Sequence, residues 1–217
     1  MPALDEAARI ADVLAALAPL RAQGVEVIVV DGGSRDGTLH LCEGAADALL
    51  TAPRGRGPQM NAGARAARGD ALLFLHADTL LPPDAPVLVG AALAQRAWGR
   101  FDVRIEGRSP WLPIVAAFMN LRSRLSGIAT GDQALFLRRE AFDAVGGFPA
   151  QPLMEDIEIS KRLRARCGAP ACLRERVVTS GRRWDERGAW RTIVLMWRLR
   201  FLYWRGVSAE RLAAAYR

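Results

Sequence analysis

Three places in the chain set ionisable side chains where chemistry could use them. The first is Val25–Thr38, VEVIVVDGGSRDGT. Val25, Val27, Ile28, Val29 and Val30 form a short β-branched run with the pattern of a strand covered on both faces, and Asp31 stands at its C-terminal end. Ligands of open α/β sheets bind at that edge. Gly32, Gly33 and Gly37 let the backbone turn tightly and approach a ligand, and Thr38 can open the next helix. The turn is not a P-loop, because Gly37 is followed directly by Thr38, and not a dinucleotide fingerprint, because Ser34 holds the third position. An acid at the strand end points to ribose or base contacts rather than a phosphate cradle. The same residues also suit an ordinary strand–turn–helix connection.

The second place is the apolar run Ala71–Leu75, which ends in His76-Ala77-Asp78. In one parallel sheet Asp31 and Asp78 would share an edge and face one crevice. Hard cations that accompany phosphates take one or two carboxylates plus substrate oxygens, a task for Asp78 with His76 on the same side. Capping the turn before Pro82 is the alternative for Asp78. The third place is Met154-Glu155-Asp156-Ile157-Glu158, where Glu155 and Asp156 open a helix with Ile157 or Ile159 and Leu163 on its apolar face. The helix dipole favours anions there, and an ionised carboxylate can accept a hydroxyl proton as general base. Acids at a helix start also stabilise helices without any further role.

The elements that must position these groups read as follows. Asp5–Leu20 is a helix with Ile10, Val13, Leu14 and Leu17 on one face, followed by the strand Val25–Val30 and a helix from Thr38 to about Leu49. Thr51–Pro58, TAPRGRGP, is a loop carrying two arginines; Gln59–Arg68 is a helix closed by Gly69-Asp70. After the strand Ala71–Leu75 come a helix at Val87–Ala97, a strand at Gly99–Glu106 and an apolar helix at Ser109–Arg124. Gly131–Arg138 is a strand, Arg139–Val145 a short helix, Met154–Arg166 a helix and Arg174–Ser180 a strand. Gly188–Gly206 and Ser208–Arg217 close the chain as helices. Alternating strands and helices predict an α/β fold with a mainly parallel sheet.

Composition bounds the function. A chain of 217 residues with 51% hydrophobic content can bury one sizeable core. Net charge is +7, and Lys161 is the single lysine, so arginine carries the positive charge. Arginine favours planar oxyanions and aromatic faces. No nucleic-acid motif accompanies it. Cys42, Cys167 and Cys172 lack metal spacing and are odd in number, which fits a reducing, cytoplasmic setting. No signal segment opens the chain, and no stretch is long and apolar enough to span a bilayer.

Five blocks occur in order: DGGSRDGT, GPQMNAGARAARGDALLFLHADT, GDQALFLRREAFDAVGGF, MEDIEISKRL and SGRRW. Together they resemble a family 2 glycosyltransferase of the GT-A fold over nearly the whole chain. FLHADT and the closing MWRLRFLYWRGVSAERLAAAY resemble a bacterial subgroup found near radical-SAM and selenium-domain proteins and labelled arsenosugar-biosynthesis glycosyltransferase. The resemblance implies a Rossmann-like sheet in residues 1–185 and a helical extension in 186–217. It also implies an inverting, metal-dependent transfer from a UDP- or GDP-sugar to an unidentified acceptor hydroxyl.

By the same resemblance Asp31, with Gly32 and Gly33, contacts the nucleoside. Asn61, Asp70, Arg56 and Arg183 border the donor. Asp78 and His76 hold Mg²⁺ or Mn²⁺. Asp156 is the general base, with Glu155 beside it. Gly131, Asp132 and Trp184 face the acceptor. The sequence departs from the family pattern in four ways. Asp5 stands where Asn is usual, His76 replaces the first acid of the DxD motif and Ser180 replaces the Gln of QxxRW. The usual first strand is missing ahead of Pro2, which would leave a gap beside the Val25–Val30 strand. A His ligand suits Mn²⁺ better than Mg²⁺. A nucleotidyltransferase or a non-catalytic nucleotide- or lipid-binding module are rival readings; the former lacks its glycine-rich N-terminal signature.

The tail carries a separate signal. Trp190, Trp197 and Trp204 recur every seven residues, as do Arg191, Arg198 and Arg205, so each set forms a stripe on a helix. Two expectations follow: a helix packed on its own domain or a dimer partner, or a helix at a membrane surface with Trp at headgroup level.

Overall fold

The computed structural model describes residues 1–216, with positions 187 and 189 described as backbone only. The elements in chain order are β1 (Pro2–Ala3), α1 (Ala7–Ala22), β2 (Ile28–Asp31), α2 (Thr38–Cys42), β3 (Ala48–Thr51), α3 (Arg56–Ala66), β4 (Ala71–Phe74) and β5 (Thr79–Leu80). Then follow α4 (Ala85–Gln95), β6 (Trp98–Glu106), α5 (Leu112–Ser126), a 3-10 turn at Gly131–Gln133, β7 (Leu135–Arg138), α6 (Arg139–Ala144) and α7 (Glu155–Cys167). The chain ends with β8 (Ala171–Ser180), α8 (Arg182–Arg187), α9 (Ala189–Trp204) and α10 (Ala209–Tyr216).

The fold is α/β, with helices on both faces of its strands. β1, β2 and β3 pair in parallel, and a second group runs in the order β4-β7-β6-β8-β5. Within that group β6 and β8 are parallel, while β4–β7, β7–β6 and β5–β8 are antiparallel. Asp31 and Asp78 therefore do not end neighbouring strands of one parallel sheet, because β2 and β4 share no ladder.

Strand alternation divides the core. On β7, Phe136 joins the cluster under α1, α4 and α5, whereas Leu135 and Leu137 join the cluster under α3, α6 and α7. A third, smaller cluster packs Leu199 and Leu212 of α9 and α10 against Met154 and Ile157 at the start of α7. It lays the C-terminal helices over the end of α7 that carries the acids.

Several boundaries differ from the sequence reading, each for a local reason. The helix expected to reach Leu49 stops at Cys42; Gly44 takes a left-handed φ of 71°, and Ala48–Thr51 instead pairs with Ile28–Asp31. The helix expected from Gln59 starts at Arg56, with Pro58 tolerated in its first turn. The first three residues of the strand expected at Gly131 form a 3-10 turn closed by a Thr130–Gln133 capping box. The position expected to be a gap beside β2 is filled over two residues by β1. Pro2 and Ala3 register with Val30 and Asp31, and the Met1 amine donates to Ile28 O at 2.8 Å. Gln59 of α3 locks this pair, its Nε2 donating to Ala3 O at 2.8 Å and Val30 O at 2.7 Å.

A buried ionic knot joins β6 to α5. Arg100 is fully buried and pairs with Asp102, which also accepts from Arg124 Nη2 at 2.6 Å. Asn120 completes the join, exchanging two hydrogen bonds with the Val103 backbone at 2.9 and 3.0 Å.

Candidate active site

The glycine turn after β2 is organised by its own acid. Asp31 is buried, and its carboxylate accepts from Gly33 N at 2.7 Å, Ser34 N at 3.0 Å and the Ser34 hydroxyl. A carboxylate has about four acceptor sites, so the turn uses most of them. Asp31 thus fixes the turn rather than standing free at the strand end. Gly33 needs its φ of 94°, and Gly32 lies against Gln59, where a Cβ would come within 3.1 Å of the amide. The turn also clasps the segment before α1. Thr38 Oγ1 accepts from Glu6 N at 2.9 Å, Asp36 Oδ2 accepts from Ala7 N at 2.9 Å, and Asp5 Oδ1 accepts from Arg35 N at 2.8 Å.

A second cluster forms where β4, the 3-10 turn and α7 meet. His76 is buried, with Nδ1 3.2 Å from Asp132 Oδ1. Its ring packs against Gly131 so closely that any Cβ there would overlap it. The Gly131 amide donates to Asp156 Oδ2 at 3.0 Å, while Asp156 Oδ1 accepts from Ile157 N at 2.8 Å. Two backbone donors therefore orient the Asp156 carboxylate. His76, Gly131, Glu155 and Asp156 line one small cleft with Thr130 and Ser160.

The electrostatics of the cluster run in opposite directions. Burial pushes the Glu155 carboxyl up, and the neighbouring charge of Asp156 adds to that, against Arg56 and His76. Burial acts upward on Asp132 too, but the His76 hydrogen bond and charge outweigh it and, with Arg56 and Arg183, hold it at about 2.

Arginines and acids link the two clusters. The Arg56 charge reaches Glu6, Asp132 and Glu155. Glu6 lies 3.7 Å from Arg182 and within electrostatic reach of Asp78, so the Asp31 turn and the end of β4 meet through Glu6. Burial raises the Glu6 carboxyl, and Arg182 opposes that shift. Asp78 accepts from Thr79 Oγ1 at 3.3 Å, and Arg183 stacks over the Tyr216 ring at 4.9 Å.

Three residues assigned from the sequence lie elsewhere. Asp70 precedes β4 and so sits at the end of the strand opposite His76, about 13 Å of strand away. Asn61 spends its amide on the Phe148 backbone, donating at 2.8 Å and accepting at 2.9 Å; it clamps a turn onto α3. Trp184 is half-buried and packs against the larger core cluster.

Other residues join the site without having been singled out. Glu6 is one. Arg122 of α5 and Arg200 of α9 are two more, because both guanidinium charges reach Asp156. Burial lowers Arg122 to about 10, with Arg200 adding repulsion. No local motif marks them; only the packing of α5 and α9 over α7 brings them in. Backbone conformation is a further marker. The non-glycine residues with positive φ among those described are Asp5, Ala134 and Met154, and each borders the site.

The side chains fit a divalent cation completed by substrate oxygens rather than a closed protein cage. Among the described residues no three His, Cys, Asp or Glu side chains gather at one point. Among the described residues Asp78 accepts one side-chain hydrogen bond, from Thr79, while His76 is held through Nδ1 by Asp132 with its Nε2 edge against Gly131.

Comparisons with known proteins agree with this architecture. The mannosyltransferase PcManGT of Pyrobaculum calidifontis, solved with GDP-Man and Mn²⁺, superposes with a TM-score of 0.66 at 22% identity over 92% of this chain and 58% of its own. S. aureus TarS 1–349 with UDP-GlcNAc gives 0.66 at 17% identity over 82% of this chain and 56% of its own. Glucosyl-3-phosphoglycerate synthase of Mycobacterium tuberculosis, with Mn²⁺, UDP and glucosyl-3-phosphoglycerate, gives 0.59 at 24% over 82% and 68%. The chain thus spans little more than half the length of the first two. No curated protein matches it. Residues 1–147 match the sequence model of glycosyl transferase family 2, and the chain belongs to that family.

Proposed function

We propose that this protein transfers a sugar from a UDP- or GDP-linked donor to an acceptor hydroxyl, with inversion at the anomeric carbon. The observation that carries the reading is the Asp156 carboxylate. Two backbone N–H groups orient it in a cleft that also holds His76 and Glu155, in a chain of this family. The complexes of the similar structures with GDP-Man, UDP-GlcNAc and UDP make nucleoside diphosphate sugars the donor class to test.

In this reading the turn that Asp31 braces receives the nucleoside through its backbone. Asp156 takes the proton from the acceptor hydroxyl as that oxygen bonds to the anomeric carbon. The bond from that carbon to the diphosphate breaks, and its electron pair leaves with the nucleoside diphosphate. Asp78 and His76 would hold a divalent cation, whose chemistry when bound is to neutralise the diphosphate. Arg56, Arg182 and Arg183 add fixed positive charge on the same side. Burial and the charge of Asp156 raise the Glu155 carboxyl, which disfavours a second negative charge beside Asp156.

FLHADT and the tail block favour the radical-SAM-associated bacterial subgroup. Release of nucleoside diphosphate from a panel of sugar nucleotides, with Mn²⁺, with Mg²⁺ and with chelator, tests donor class and cation together. Turnover with cation and none with chelator is expected; silence on every donor overturns the reading.

A further inference from the structure

We propose that α5 and α9 together form a face that docks on an anionic membrane surface. On α9 the side chains of Leu199, Leu195, Met196, Leu202 and Tyr203 turn toward the protein. Trp190, Val194, Trp197, Phe201 and Trp204 point away from it, the three tryptophans 73%, 70% and 74% exposed. On α5 a matching exposed row runs through Trp111, Ile114, Phe118, Leu121 and Leu125. Both rows step by three or four residues, the spacing of one helical face.

The two rows are adjacent. Trp111 and Trp190 line one open cleft at the start of the helices, and Arg122 and Arg200 feel each other's charge farther along. α5 and α9 therefore come near each other both at their starts and farther along. Of the twelve large exposed hydrophobic residues among those described, only Leu41 and Val87 lie outside this face or its edge. An apolar surface gathered in one place marks a contact site, unlike single exposed residues scattered over a surface.

Charge selects the occupant. α5 and α9 contain no Asp or Glu; Arg191, Arg198 and Arg205 are exposed beside the tryptophans, whereas Arg122 and Arg200 turn inward toward Asp156 and Arg124 pairs with Asp102. At 100° per residue, Arg191, Arg198 and Arg205 lie roughly 60–100° around the helix from the Trp190 stripe, flanking it. At the rim of the cleft stand Asp185, engaged by the amides of Arg108 and Ser109, and Glu186. A two-fold dimer would press this face on itself, bringing together two surfaces of the same positive sign with acids only at the rim of the cleft. An anionic bilayer supplies the missing negative charge and an apolar layer for the tryptophans. Among the described residues no helix is long and apolar enough to cross a membrane, so contact lies along the surface.

The test is flotation of the full chain with vesicles of phosphatidylcholine alone and of phosphatidylcholine with phosphatidylserine. Binding is expected to the anionic vesicles and to weaken as salt rises. R198A/R205A should weaken partitioning about thirty-fold. F118S on α5 and W197S on α9 should each weaken it, although both positions are exposed and their loss leaves the core intact. Absence of binding to anionic vesicles overturns the proposal, as does binding that all these variants leave unchanged. A salt-resistant dimer that is abolished by W197S, with no lipid binding, overturns it in favour of self-association. None of these readouts depends on catalysis.

Discussion

The backbone amide of Gly131 hydrogen-bonds Asp156 Oδ2 at 3.0 Å, across 25 residues of sequence, while the His76 ring occupies the space beside Gly131 where a side chain would stand. One glycine thereby fixes two site residues at once. G131A should displace the His76 ring or the 3-10 turn and misalign Asp156. Turnover should fall about 100-fold, the usual cost of a misplacement near 1 Å, with a loss of stability of about 1–3 kcal/mol from the overpacking. Steady-state kinetics and a melting curve on the same sample check this. Wild-type turnover would show that the contact has no role.

Glu155 predicts a pH-dependent gain in stability. Burial and the charge of Asp156 raise its carboxyl, so the folded protein holds that proton more tightly than the unfolded chain does. This contribution is present below the ordinary value of 4.5 and is lost as pH rises through the raised one. E155Q keeps the site neutral at every pH. It should be more stable than the parent at pH 7 and equal to it near pH 4, by urea denaturation at both values.

Asp132 predicts the reverse. His76, with Arg56 and Arg183, holds its carboxyl at about 2, so its contribution is present above the ordinary 3.8 and is lost as pH falls toward 2. D132N should be less stable than the parent at pH 6, and the difference should shrink through that window. The Asp132 side chain is 46% exposed, so the difference should be small.

The Arg100–Asp102 pair predicts a large loss remote from the chemistry. D102A leaves the fully buried Arg100 without its anion, at a cost of about 3–5 kcal/mol. R100M/D102L, which removes both charges, should lose much less. Equilibrium urea unfolding of the two variants separates them.

What the sequence made legible was local. The glycine turn, the apolar run ahead of His76 and the acidic start of α7 are each written in a few adjacent residues, and each forms where expected. Strand partners are not written locally. Nothing in Ala71–Phe74 specifies an antiparallel neighbour, so Asp31 and Asp78 do not end adjacent strands of one parallel sheet. Ala48–Thr51 is hard to read locally because three apolar residues after a helix look like more helix until β2 claims them. Arg122 and Arg200 enter the site only through tertiary packing. Asp70 shows the converse: it follows a motif closely in sequence but lies at the wrong end of its strand.

Asp156 carries the central claim, and D156N tests it most directly. The substitution keeps shape and removes the proton acceptor. With the best donor of the panel, its cation and an acceptor, D156N should reduce sugar transfer at least 1,000-fold, within the range general-base catalysis contributes, while donor affinity stays within a few-fold of the parent. Transfer by D156N at the parental rate, with the same donor affinity, would contradict the assignment of Asp156 as the base.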